Sequence, residues 1–70
     1  MLKLSARNQI KGKIVKIAKG ATTSHVTLDV NGTTLMAAIT NEGVEDLKLT
    51  EGKSAIAVIK ASDIMVGIDE

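Results

Sequence analysis

Seventy residues carry nine basic and eight acidic side chains, one histidine (His25), no cysteine and no aromatic residue. That length admits one domain, spanning 1–70. A disulfide framework is excluded, a lone histidine offers no clustered site for a bare metal cation, and a net charge of +1 gives no broad field to draw nucleic acid or anionic lipid.

A core without Phe, Tyr or Trp must be assembled from Val, Ile, Leu, Met and Ala, each burying less area than an aromatic ring. In so short a chain, oligomerisation is the remaining way to gain buried apolar surface. No apolar run approaches the ~20 residues that span a bilayer. The first residues lack the apolar segment and cleavage site of a secretory signal. A cytoplasmic protein that does not engage membranes is expected. Lys3, Arg7, Lys11, Lys13, Lys16 and Lys19 all precede the first acid, Asp29, while acids gather around Glu42–Asp46 and at Asp69 and Glu70. A solvated basic strand face accounts for most of these lysines.

The first strand is expected from Gln9 to Ala18. Ile10, Gly12 and Ile14 share one parity, then Val15 and Ile17 take the other, which calls for a bulge near Ile14–Val15. Lys19-Gly20 reads as a break. Val26, Leu28 and Val30 alternate with His25, Thr27 and Asp29 in a half-buried second strand. Asn31-Gly32 then marks a tight hairpin, because both central positions of a type I′ turn need positive φ. The returning strand, Thr33 to Ile39, is apolar or small on both faces.

Thr40-Asn41 can cap a short helix with Glu42 in its first turn and Val44 and Leu47 on one side; Gly43 limits it to about two turns. Thr50-Glu51-Gly52-Lys53 reads as a turn. Ala55 to Ile59 is apolar on both parities, so both faces should be covered, one by the core and one by a neighbouring subunit or element. Ile64, Val66 and Ile68 alternate with Met65, Gly67 and Asp69 in a fifth strand. Five strands with one short helix between the third and fourth fit an all-β, OB-like Greek-key barrel. An SH3-like barrel or an open sheet with one helix has the same element order.

Catalytic equipment is missing, so the chain is read as a non-enzyme. His25 lies on the polar parity of its strand, where a solvent-facing imidazole is expected rather than a triad base. The glycines fall in no phosphate-loop or dinucleotide pattern. Single-strand nucleic-acid binding on a barrel of this kind depends on stacking bases on aromatic rings, worth ~1–3 kcal/mol each, and this chain has none. A small anion remains. Ser5-Ala6-Arg7-Asn8-Gln9 supplies a hydroxyl, a guanidinium and two amides just before the first strand. Lys60-Ala61-Ser62-Asp63 supplies a second polar segment, and Lys60 shares the parity of Ile56 and Val58. A buried ammonium needs a compensating anion; alternatively Lys60 snorkels to solvent or pairs with Asp63 or Glu42.

The run Ser5–Gln9 followed by Ile10-Lys11-Gly12-Lys13-Ile14-Val15 closely resembles the opening of the molbindin (Mop) proteins. Glu51-Gly52-Lys53, leading into Lys60-Ala61-Ser62-Asp63 and Ile64-Met65-Val66-Gly67, resembles their ending. The resemblance covers nearly the whole chain and implies an OB-like barrel, strand exchange between paired subunits and a homo-hexamer built as a trimer of dimers. It also implies that molybdate or tungstate is bound at subunit interfaces for storage, buffering or delivery, with no organic cofactor. Carried over by position, the principal site would use Ser5, Ala6 and Arg7 of one subunit, completed by Thr40 and by Lys60 and Ala61, with Lys60 from the partner. Many relatives have serine where Ala61 stands, which removes one side-chain donor. A second class of anion site is implied near Lys19, Gly20 and Ala21. The alternative is an OB-like nucleic-acid or protein interaction module that binds no specific oxyanion.

Molybdate at neutral pH is a dianion that offers acceptors only. A fitting site therefore presents Arg, Lys, hydroxyl and N–H donors with no carboxylate pointing in. Sulfate is smaller and phosphate carries a proton, so a fixed cage of donors should reject both.

Overall fold

The computed structural model describes residues 5–69, so Lys3 and Glu70 lie outside the described residues. Four strands and one short helix follow in the order β1 (Asn8–Lys19), β2 (Thr23–Val30), β3 (Thr33–Thr40), α1 (Asn41–Asp46) and β4 (Ser54–Ile59), then a single 3-10 turn at Ala61–Asp63. All pairings are antiparallel, in the order β3-β2-β1-β4.

β1 organises the sheet because it changes partner along its length. Asn8 to Lys13 pair with Ile59 to Ser54 of β4, and Lys13 to Lys19 pair with Asp29 to Ser24 of β2. At the crossover a Cβ on Gly12 would stand 2.9 Å from the Asp29 carbonyl oxygen, so only glycine lets the two backbones approach. The bulge lies where the parity slips. Ile14 faces Leu28 and Lys16 faces Thr27, leaving Val15 as the unpaired extra residue. Val15 consequently points outward, contrary to its shared parity with Ile17, and Ile17 turns back to the core. Beyond the bulge, the 51–53 turn replaces β4 along this edge. Gly52 N donates to Ile14 O at 2.7 Å, Ile14 N donates to Lys53 O at 2.9 Å, and Ile17 N donates to Glu51 Oε2 at 3.3 Å.

The hairpin turn has Asn31 at φ 50° and Gly32 at φ 89°, both positive as type I′ requires. Thr40 caps α1, its Oγ1 accepting from Gly43 N at 3.1 Å. Val44 packs against the core with Leu49, whereas Leu47, expected beside Val44, is exposed because it sits at the helix C-cap. Lys53 Nζ closes that end by donating to Leu47 O at 3.1 Å and Lys48 O at 3.2 Å. A Lys53→Met substitution keeps the aliphatic stem but loses both bonds, and should lower the unfolding free energy by about 0.5–1.5 kcal/mol in urea titrations.

Ile14, Val26 and Leu28 form the fully buried centre, with Ile17, Leu35, Ile39, Val44, Leu49, Ala55 and Ala57 packed around it. An apolar concavity of about 590 Å³ remains open between β3 and β4. The outward parity of β4, Ile56 and Val58, is exposed, so within one chain only one face of this strand is covered.

The fifth strand expected over 64–68 is not formed among the described residues. The 3-10 turn carries the chain off β4, and the segment that follows forms no regular element and pairs with no described strand. Met65, Val66 and Ile68 are 94, 90 and 81% exposed. The fold is therefore all-β with one short helix between the third and fourth strands, and among the described residues its sheet has four strands.

Candidate functional site

Antiparallel pairing of Asn8 with Ile59 places the residues before β1 beside those after β4. Ser5, Ala6 and Arg7 approach the sheet from one side, and Lys60, Ala61, Ser62 and Asp63 leave it on the other. Together with Val58 they line one open recess of about 620 Å³. The exit segment is folded back over the recess by its 3-10 turn, in which Asp63 N donates to Lys60 O at 2.9 Å and Ile64 N to Ala61 O at 3.3 Å. The recess thus gathers a guanidinium, an ammonium and two hydroxyls against one carboxylate, with the charged side chains in contact with solvent. Flexible donors around a partly apolar floor suit a compact multivalent anion.

Five of the six residues of the principal site expected from sequence meet here: Ser5, Ala6, Arg7, Lys60 and Ala61. They do so within one chain, whereas Lys60 was expected from a partner. Thr40 is not in the recess. It ends β3, on the opposite edge of the sheet from β4, and its hydroxyl caps α1. Ser62 and Asp63, absent from the expected ligand set, line the recess as well. Their place in the same polar run as Lys60 was the available signal. Asp63 also departs from the expectation of a site without a carboxylate.

Asn8 and Gln9, read from the sequence as further donors, are both turned to backbone carbonyls. Asn8 Nδ2 donates to Ile59 O at 3.3 Å, and Gln9 Nε2 reaches Ala6 O at 3.5 Å. Neither lines the recess.

Lys19, Gly20 and Ala21 lie at the far end of β1, in the turn to β2. Gly20 N donates to Thr23 O at 2.9 Å, and a Cβ there would come within 2.7 Å of the same oxygen. Asn41 secures this turn: its Nδ2 donates to Gly20 O at 3.1 Å and Ala21 O at 3.3 Å, and its Oδ1 accepts from the buried Ser24 hydroxyl at 2.6 Å. Sequence patterning assigned Asn41 only to the helix cap. His25 is exposed, as its parity indicated. Among the described residues no group of three His, Cys, Asp or Glu side chains could hold a metal ion, and no helix is long and apolar enough to cross a membrane.

Comparison with known proteins places this geometry. The TOBE domain family matches residues 4–66. The chain belongs to that family. Within TOBE-domain proteins it is similar to a probable molybdenum-pterin-binding protein of Haemophilus influenzae, 42% identical over 69 residues, covering 97% of this chain and all of that one. A molybdate-binding protein from Sporomusa ovata shares the fold at a TM-score of 0.91 and 36% identity, over 96% of this chain and 100% of the other. The cytoplasmic molybdate-binding protein ModG, solved with molybdate bound, matches at a TM-score of 0.91 and 42% identity. That match covers 97% of this chain and 49% of the ModG chain. The molbindin resemblance carried by Ser5–Gln9 and Lys60–Asp63 is thereby borne out.

Proposed function

We propose that this TOBE-domain protein binds molybdate, and tungstate equally, in the recess between Ser5–Arg7 and Lys60–Asp63, and holds it in the cytoplasm for storage, buffering or delivery without catalysis. The observation that carries this reading is the convergence of Arg7 and Lys60, from opposite ends of the chain, on one recess. Proteins up to 42% identical along nearly the whole chain are named for molybdenum or molybdate. Two cations with the hydroxyls of Ser5 and Ser62 can meet several oxygens of a tetrahedral dianion, and the N–H groups of Ala6 and Ala61 add neutral donors.

The single domain is proposed to act as an oligomer, in which the five-stranded, OB-like barrel is completed between chains. Supporting this are the unpaired 64–68 arm with its exposed Ile64, Met65, Val66 and Ile68, and the apolar concavity left open between β3 and β4. A homo-hexamer arranged as a trimer of dimers would seal the exposed Ile56–Val58 face. It would also bring Thr40 of a neighbouring subunit to the anion. The Thr40 hydroxyl accepts from Gly43 N and so keeps its own proton to donate. Lys19, Gly20 and Ala21 are proposed as a second class of anion site, resting on the lysine ammonium.

Calorimetric titration tests the function. Molybdate and tungstate should release comparable heat and saturate, while sulfate and phosphate at equal ionic strength bind at least ~100-fold more weakly, because unmatched donors and acceptors are left unpaired. Native mass spectrometry of the same samples should show six chains with bound anions. No molybdate heat, together with a salt-dependent shift of a single-stranded oligonucleotide, would reassign the protein as an interaction module.

A further inference from the structure

The two amides of the Ser5–Gln9 motif do not line the recess, yet asparagine is disfavoured inside strands and Asn8 opens one. Its side chain makes a specific link. Asn8 Nδ2 donates to Ile59 O, 51 residues away, from a partly buried position. Asn8 and Ile59 are also the last register pair of the β1–β4 ladder. The next residue on one strand is Arg7 and the next on the other is Lys60, the two cations of the recess. A ladder is weakest at its last pair, where no further backbone bond follows. A slip of one residue would send alternate side chains to the opposite face. The Asn8 amide adds a bond at the place where fraying would separate the two halves of the recess. The Gln9 amide, by contrast, returns to Ala6 within its own segment and links nothing across the sheet.

From this placement we infer that Asn8 is a positioning residue for the anion: it fixes the spacing of the Arg7 and Lys60 segments without touching the ligand. The inference rests on the oxyanion reading of the recess. A pre-set spacing lowers the ordering cost of binding and makes the recess selective for one anion size, because a recess that can close or open adapts to a smaller one. Losing the link should therefore cost affinity for molybdate more than for sulfate. It should leave the salt dependence unchanged, since no charge is removed.

The test uses the assembled protein, titrated with sodium molybdate and with sodium sulfate, in four forms: parent, Asn8→Ala, Asn8→Gln and Gln9→Ala. Asn8→Ala should weaken molybdate binding about tenfold, the scale of one hydrogen bond, and lower the molybdate-to-sulfate ratio. The anion-free melting temperature should fall by no more than the loss of one hydrogen bond, about 4–8 °C, and the subunit number should stay that of the parent. Asn8→Gln, which keeps a donor, should recover part of the loss, and Gln9→Ala should bind as the parent does. Unchanged molybdate affinity in Asn8→Ala overturns the positioning role. So does a loss of assembly, so does an equal loss of sulfate binding in Asn8→Ala, and so does an equal loss in Gln9→Ala. A parent protein that binds neither anion instead overturns the oxyanion reading itself, and is told apart because it fails before any variant is compared.

Discussion

Replacing Arg7 with alanine is expected to weaken molybdate binding by about a hundredfold or more, while the anion-free protein keeps its melting temperature. A guanidinium presents parallel N–H groups that match two oxygens of a tetrahedral oxyanion, and each charge-assisted bond is worth about 1.5–3 kcal/mol. Two such bonds lost correspond to at least ~3 kcal/mol, about two decades in the dissociation constant. Arg7 is exposed at the mouth of the recess. Its removal therefore takes little from folding, for which surface substitutions usually change stability by about 0.5 kcal/mol or less. Lys60→Ala should act in the same direction with a smaller effect, because an ammonium is a point donor on a flexible stem. Arg7→Lys should recover the charge and lose the fork, and so fall between parent and alanine. Titration calorimetry ranks the series; parent affinity in Arg7→Ala would remove the recess from the account of function.

The largest effect on stability is expected from Ile14→Ala. Ile14 is wholly buried, at 0% exposure, and packs with Val26 and Leu28 at the centre of the core. Truncating a buried isoleucine costs about 2–5 kcal/mol, more where the surroundings cannot collapse into the space. Collapse is restrained here because Ile14 N and O are bonded to Lys53 O and Gly52 N, and the bulge beside it is fixed by the β2 register. A domain of this size has roughly 4–10 kcal/mol in total, so the variant should lose a large part of its urea midpoint. Val15→Ala, one residue along and outward-facing, should shift the midpoint far less. Equal losses at the two positions would contradict the assignment of Val15 to the bulge.

Local chemistry made most of the strands legible. The Asn31-Gly32 turn, the parity slip at Ile14–Val15, the break at Lys19-Gly20 and the Thr40 cap each depend on a few neighbouring residues, and each is found where the sequence put it. The 64–68 segment shows where such reading stops. Alternation records what a strand can offer to a partner, and among the described residues no edge stands alongside it. The pairing of Val44 with Leu49 rather than Leu47 follows from a helix that ends one residue early for the expected face.

For the site, residue type identified the cations and hydroxyls, and the molbindin motifs linked the two segments. The orientation of amides was not readable. Asn8 and Gln9 have the chemistry of anion donors, but the carbonyls of Ile59 and Ala6 claim them. That competition between backbone and ligand is settled by register. Thr40 is also part of the expected ligand set, yet within one chain it caps a helix on the opposite edge of the sheet from the recess.

The Ser24–Asn41 link bears on how this sequence can change over generations. Ser24 is 1% exposed and its hydroxyl has Asn41 Oδ1 as acceptor, while the Asn41 amide holds the Gly20 and Ala21 carbonyls. Changing Asn41 alone strands the Ser24 hydroxyl away from water; changing both to apolar partners of matching shape avoids that penalty. The pair should therefore drift in step among descendants, and a double-mutant cycle on Ser24→Ala and Asn41→Ala should show coupling of about 0.5–3 kcal/mol. In so small a core, one hydroxyl and one amide set which substitutions at two distant positions are open to the lineage together.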